Sequence, residues 1–164
     1  MKKVVWTTVA AAALLALATP VAAQQTDTAT VSVTATVNAK AKLTLGTGAV
    51  TFADANPDVT PIISATAFSI DVKARTSAAG SVTLTAQSDA DLTSGSDTIT
   101  IDNLTWTVTG TGFSAGTMAT TAVSVGSWTG SGTQSGTQTL KLANSWAYNT
   151  GSYTATLTYT LTAP

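Results

Sequence analysis

Residues Ser152 to Pro164 read SYTATLTYTLTAP. Tyr153, Ala155, Leu157, Tyr159 and Leu161 share one parity, and Thr154, Thr156, Thr158, Thr160 and Thr162 share the other. Strict alternation of apolar and polar residues is what a strand with one buried face requires. A terminal strand stays ordered only when its backbone is tied into a sheet and its apolar row meets a core. The stretch therefore predicts a β-strand on the edge or in the body of a sheet with one wet face.

The same period recurs along the chain. Ala29, Val31, Val33, Ala35 and Val37 alternate with Ser and Thr, and Leu43 and Leu45 follow the basic pair Lys40 and Lys42. Val50 and Phe52 read as a short strand after the turn Gly46-Thr47-Gly48. Asp54 to Pro61 (DANPDVTP) reads as a loop from its Asn-Pro and Asp content. Phe68, Ile70 and Val72 form one inward row, and Val82, Leu84 and Ala86 form another. Ile99 and Ile101 lie on one parity and Leu104, Trp106 and Val108 on the other, which places a β-bulge at Asp102-Asn103. Val123 and Val125 mark a short strand, Gly126 to Gly136 a loop around Trp128, and Leu140 and Leu142 flank an outward Lys141. Roughly a fifth of the residues are Thr, well above ordinary usage. A β-branched side chain with a hydroxyl suits the wet face of a pleated sheet. About eight or nine short strands at this spacing predict an all-β, two-sheet antiparallel sandwich of immunoglobulin-like or fimbrial-like type.

Residues 1–23 predict a secretory signal peptide. Lys2 and Lys3 precede an apolar run from Val9 to Ala18, and Pro20 and Val21-Ala22-Ala23 supply a small-residue cleavage site. Cleavage after Ala23 leaves Gln24 to Pro164 as one β-sandwich domain with no further long apolar run. The expected location is outside the cytoplasm: secreted, on the cell surface or in the periplasm. Removing Lys2 and Lys3 leaves Lys40, Lys42, Lys73, Arg75 and Lys141 against eight acidic residues, all Asp. So few cations argue against a nucleic-acid partner.

The chain has no Cys, no His and no Glu. A His-dependent hydrolase triad, a Cys nucleophile and a Cys or His zinc site are excluded. A Ser/Lys dyad would need a desolvated lysine, and Lys73 and Lys141 fall on outward positions. The Asp residues lie mostly in loops, where Asp ordinarily forms turns through its own backbone. The expected protein is not an enzyme. The spacing of Asp54, Asn56 and Asp58, and of Asp89, Asp91 and Asp97, is compatible with calcium ligation, although the closing Glu of a calcium loop is missing. Asn103-Leu104-Thr105 matches the N-glycosylation triplet. Trp106 falls on the inward parity and reads as core. Trp128, in its Gly-rich surroundings, is the expected exposed aromatic and the candidate glycan contact.

The segments LTWTVTGTGF (Leu104 to Phe113) and YTATLTYTLTAP (Tyr153 to Pro164) resemble the paired signatures of WxL-type cell-surface domains. Val108 stands where that family has Leu, and Tyr159 where it has Trp. The resemblance implies a β-rich exported domain that attaches to cell wall or to other surface proteins. VSVTATVNAKAKLTLGTGAVTFAD (Val31 to Asp54) is similar to the start of fimbrial-type sandwich subunits, which are joined by a strand from a neighbour. Together these imply a structural module of the cell surface or extracellular matrix. Its interaction strand is Ala29, Val31, Val33, Ala35 and Val37, and its partners are other surface proteins or copies of itself. The alternative is a module that binds wall polymer or glycan.

Overall fold

The structure is a computed structural model that describes residues 25–164. The expected signal peptide and cleavage site, with Gln24, lie outside the described residues. Chain contacts define two units, Met1–Ala35 and Thr36–Pro164. In the first, residues 25–35 contain no strand or helix and every side chain is exposed. Val31 and Val33 are each 87% exposed. The expected first strand is thus not part of a sheet, although its residues have every local property of one.

The second unit is all-β and antiparallel. Its strands are β1 (Lys40–Leu45), β2 (Ile62–Ser64), β3 (Phe68–Arg75), β4 (Ser81–Ser88), β5 (Leu92–Ser94) and β6 (Asp97–Ile99). They continue with β7 (Leu104–Val108), β8 (Gly116–Thr117), β9 (Val123–Thr129), β10 (Gly132–Ala143) and β11 (Leu157–Thr162). One sheet runs β1-β3-β10-β7-β8, the second runs β11-β4-β9, and β5 and β6 form a small hairpin. The long β10 carries β3 along its first half and β2 along its second, so β2 and β3 lie end to end on one side of it. Ala65 keeps the ladder across the break, its N–H donating to the Leu140 carbonyl at 2.9 Å.

The alternation of the sequence becomes the core. Ile70 and Val72 of β3, Leu104 and Trp106 of β7 and Leu140 of β10 are buried from the larger sheet. Val82, Leu84 and Ala86 of β4 and Val125 of β9 face them from the other. Stacked sheets bury both apolar rows in this way. The buried Trp106 ring lies on Gly116, where a Cβ would come within 2.5 Å of it, and its indole N–H donates to the Ser114 carbonyl at 2.8 Å.

Several sequence expectations need correction. Val50 and Phe52 are half-buried but form no strand. The phase change near Asp102-Asn103 is made by a 3-10 turn over Ile101–Asn103, with Asn103 Nδ2 donating back to Thr100. Like a bulge, that turn resets the parity, so Ile99, Ile101, Leu104 and Trp106 are all buried. The real bulge is in β9: Leu84 pairs with Gly126 and Thr85 with Ser124, leaving Val125 between them. Gly126 to Gly136 is not a loop. It holds the end of β9, a short turn at Gly130 (φ +77) and the start of β10.

Candidate functional site

The two main sheets meet along two seams, and the seams differ. At one, β8 lies beside β9 and the chain between β7 and β8 seals the gap. Ser114 N–H donates to the Val125 carbonyl, and Ser127 N–H to the Gly112 carbonyl, each at 2.9 Å. Trp128 closes this side. Its indole N–H donates to the Thr111 carbonyl at 2.8 Å, and its ring meets Phe113 edge-on at 4.9 Å between centroids. The side chains behind this seam, Trp106, Met118 and Val125, are buried.

At the other seam β1 lies beside β11, and among the described residues no backbone hydrogen bond joins them. The inward rows here are only half-buried: Leu43 and Leu45 on β1, and Tyr153, Ala155, Leu157, Tyr159 and Leu161 along the last stripe. The neighbouring strands β3 and β4 carry fully buried rows, so the core thins toward this side.

Both strands at this seam are sheet edges, and they differ in charge. Among the described residues β11 pairs only with β4, from Leu157↔Ser88 to Thr162↔Thr83. Upstream, Thr154 bridges Thr93 on that same side, and Thr156 N–H donates to the Asp89 carboxylate at 2.8 Å. Among the described residues, the other side of β11 presents alternate N–H and C=O groups with no partner strand. No charged residue occurs between Gly151 and Pro164. β1 instead carries Lys40 opposite Arg75 and Lys42 opposite Lys73. Like charges placed opposite each other repel, and lysines on an edge discourage a further strand.

Behind β11 lies a buried polar link. Gln138 occupies an inward position of β10 and is fully buried. Its Oε1 accepts from the Tyr159 hydroxyl at 2.8 Å, whereas its Nε2 has no hydrogen-bond partner among the described residues. Burial pushes the Tyr159 phenol up to about 12, against the smaller opposing effect of its bond to Gln138.

The acidic side chains take local donors. Asn56 Oδ1 accepts from Asp58 N–H, Asp91 from Ile101 N–H and Asp97 from Asn149 Nδ2. Asp58 accepts from the Trp146 indole at 3.1 Å. Among the described residues no three acidic side chains come together as a metal site. Trp128, expected to be exposed, is half-buried in the closed seam. Among the described residues the exposed indole is that of Trp146, which is 70% accessible. Of the expected interaction residues, Ala29, Val31, Val33, Ala35 and Val37 are all exposed.

No described helix is long and apolar enough to cross a membrane. Comparison with known proteins found no matching family model and no significant match to a curated protein.

Proposed function

We propose that the protein is an exported, non-catalytic structural module of the cell surface or extracellular matrix, assembled through its N-terminal segment. The observation that carries this reading is the state of residues Ala29 to Val37. Five small apolar side chains lie on one parity in an uncharged stretch, belong to no sheet, and face solvent. An alternating stretch of that length is a liability for a lone monomer and a ready strand for β-augmentation. The scarcity of catalytic residue types supports a non-enzymatic role, and the Lys2 to Ala23 layout supports export.

The test uses the mature chain beginning at Gln24. Assembly predicts particles that grow with concentration by light scattering and electron microscopy. Removing residues 25–37 should leave monomers, and a peptide of that sequence should bind them. An intact protein that stays monomeric throughout, with a truncated form that ignores the peptide, overturns the reading.

A second reading, binding to wall polymer or glycan, is favoured by one observation. Trp146 presents an exposed ring whose indole N–H is fixed by Asp58, and fixed aromatic rings stack on sugars. Retention of the monomer on isolated wall, lost in Trp146→Ala, would favour it.

A further inference from the structure

We infer that the acceptor for the N-terminal segment is the free edge of β11 in a second copy, and that the incoming strand runs parallel to β11 with Ala29 opposite Tyr153 and Ala35 opposite Tyr159. This rests on the assembly reading above and adds to it the edge, the direction and the register.

The choice of edge follows from charge and burial. Among the described residues five sheet edges exist in the two main sheets, those of β1, β2, β8, β9 and β11, and β2 is only 3 residues long, too short to take the whole segment. The edges of β8 and β9 meet at the seam sealed by the Phe113 segment. β1 is guarded by Lys40 and Lys42. β11 has no charged residue and a half-buried apolar row, and among the described residues β1 lies beside it without a backbone hydrogen bond to it. Natural sheets ordinarily protect such an edge with lysine, proline or a bulge. Here Thr and apolar residues alternate up to Ala163 without any of these devices. The segment Thr28 to Val37 has the same character, so the two uncharged strands match each other.

The register follows from side-chain size. Ala29 and Ala35 are six residues apart, and so are Tyr153 and Tyr159. In the parallel register each Ala faces a Tyr, Val31 faces Ala155, Val33 faces Leu157 and Val37 faces Leu161. All five inward positions of both strands are used, and each large ring has a methyl group beside it. The antiparallel register that keeps Ala opposite Tyr places Asp27 opposite Leu161, a carboxylate on the inward row. Shifting it by two residues removes that conflict but sets Ala35 against Ala155 and Val31 and Val37 against the two Tyr rings. Packing favours facing positions that alternate large and small residues, so the parallel register fits best.

The absence of native cysteine permits a direct test. Outward Thr36 and Thr160 lie on the same rung in the parallel register, within the Cα spacing a disulfide needs. Single-cysteine full-length mature chains, Thr36→Cys and Thr160→Cys, are mixed under mild oxidation, one carrying a longer tag so that mixed dimers separate by size. The expected product is the mixed dimer, with Thr30→Cys plus Thr154→Cys linking equally and Thr36→Cys plus Thr154→Cys failing to link. Linking of Thr36→Cys to Thr154→Cys in place of Thr160→Cys makes the addition antiparallel and overturns the register while assembly stands. Dimers of Thr160→Cys with itself mean that two β11 edges pair, which overturns the acceptor assignment. A link formed only inside one chain, in a Thr36→Cys/Thr160→Cys double variant that stays monomeric, removes the second copy and with it the assembly reading. No link at any pair, with particles still growing, moves the acceptor to another edge; no link and no particles refutes assembly itself.

Discussion

Tyr159→Phe should destabilise the protein by more than the loss of one exposed hydroxyl would. Gln138 is fully buried on the inner face of β10, and among the described residues its side chain's only hydrogen bond is the one from Tyr159. Removing the hydroxyl leaves both ends of a buried amide without a partner. A buried group stripped of its partner costs about 1–3 kcal/mol, against about 1 kcal/mol for an ordinary hydrogen bond. Gln138→Met keeps the volume and removes the orphaned Nε2, but it takes away the acceptor of the Tyr159 hydroxyl, so it too should cost about 1–3 kcal/mol. The double variant, with donor and acceptor both gone, should lie within about 1 kcal/mol of the parent, which makes the two single effects strongly non-additive.

The pair also carries a pH signature. The unfolded phenol ionises near pH 10, whereas burial holds the folded one to about 12. Between these values the unfolded chain binds fewer protons, so stability falls as pH rises, by about 1.4 kcal/mol per pH unit from this group. Below pH 10 the contribution is intact. Urea unfolding followed by circular dichroism at pH 7 and across pH 9.5–11.5 measures both effects. Tyr159→Phe should be less stable at neutral pH and show a flatter alkaline limb than the parent. A loss below about 0.5 kcal/mol with an unchanged alkaline limb would refute the burial of this link.

Three further outcomes are expected. Trp106→Ala should cost about 3–5 kcal/mol, since the ring is 2% exposed in the core, whereas Thr107→Ala on the opposite, exposed face should cost well under 1 kcal/mol by the same unfolding measurement. Gly112→Ala should cost about 2 kcal/mol or more, because φ is +81 there and a Cβ would strike the Trp128 indole; Gly48→Ala, with nothing within 4 Å, should be close to neutral in thermal melts. Asp89 is held below the usual carboxylate range, chiefly by the Thr156 N–H. Its contribution is present above the unfolded value and fades as pH falls through the lower folded one, so Asp89→Asn should flatten the acid side of the stability profile near and below pH 4.

How much of this was legible in the sequence depends on which contact is asked about. Alternation assigned the inward faces correctly at Ile70, Val72, Val82, Leu84, Trp106 and Leu140, because period two is fixed by the pleat of a single strand. Extending the parity of Leu140 back two residues would also have placed Gln138 inward. Its bond to Tyr159 was not legible, since nothing local links positions in two sheets. The phase change before Leu104 was visible, but a bulge and a 3-10 turn shift parity alike and the sequence does not separate them. The bulge at Val125 and Gly126 was hidden for the opposite reason, as too few apolar residues follow it to reveal a slip. Trp128 looked exposed among glycines. In the fold those glycines make room for its ring, an effect of Gly112 and Gly126 that sequence proximity does not encode.

By itself the sequence determined the class of structure: antiparallel strands with one wet face, faced with Thr. These follow from periodicity and residue type, which are properties of the chain alone. The tertiary structure decided which stripes are paired. Ala29 to Val37 and Tyr153 to Leu161 are equally regular, yet the first faces solvent outside any sheet and the second lies against β4 and the β5 hairpin with one edge open. Amphipathic alternation makes a strand able to pair. Whether it does depends on a neighbouring backbone and an apolar surface supplied by residues far away in the chain.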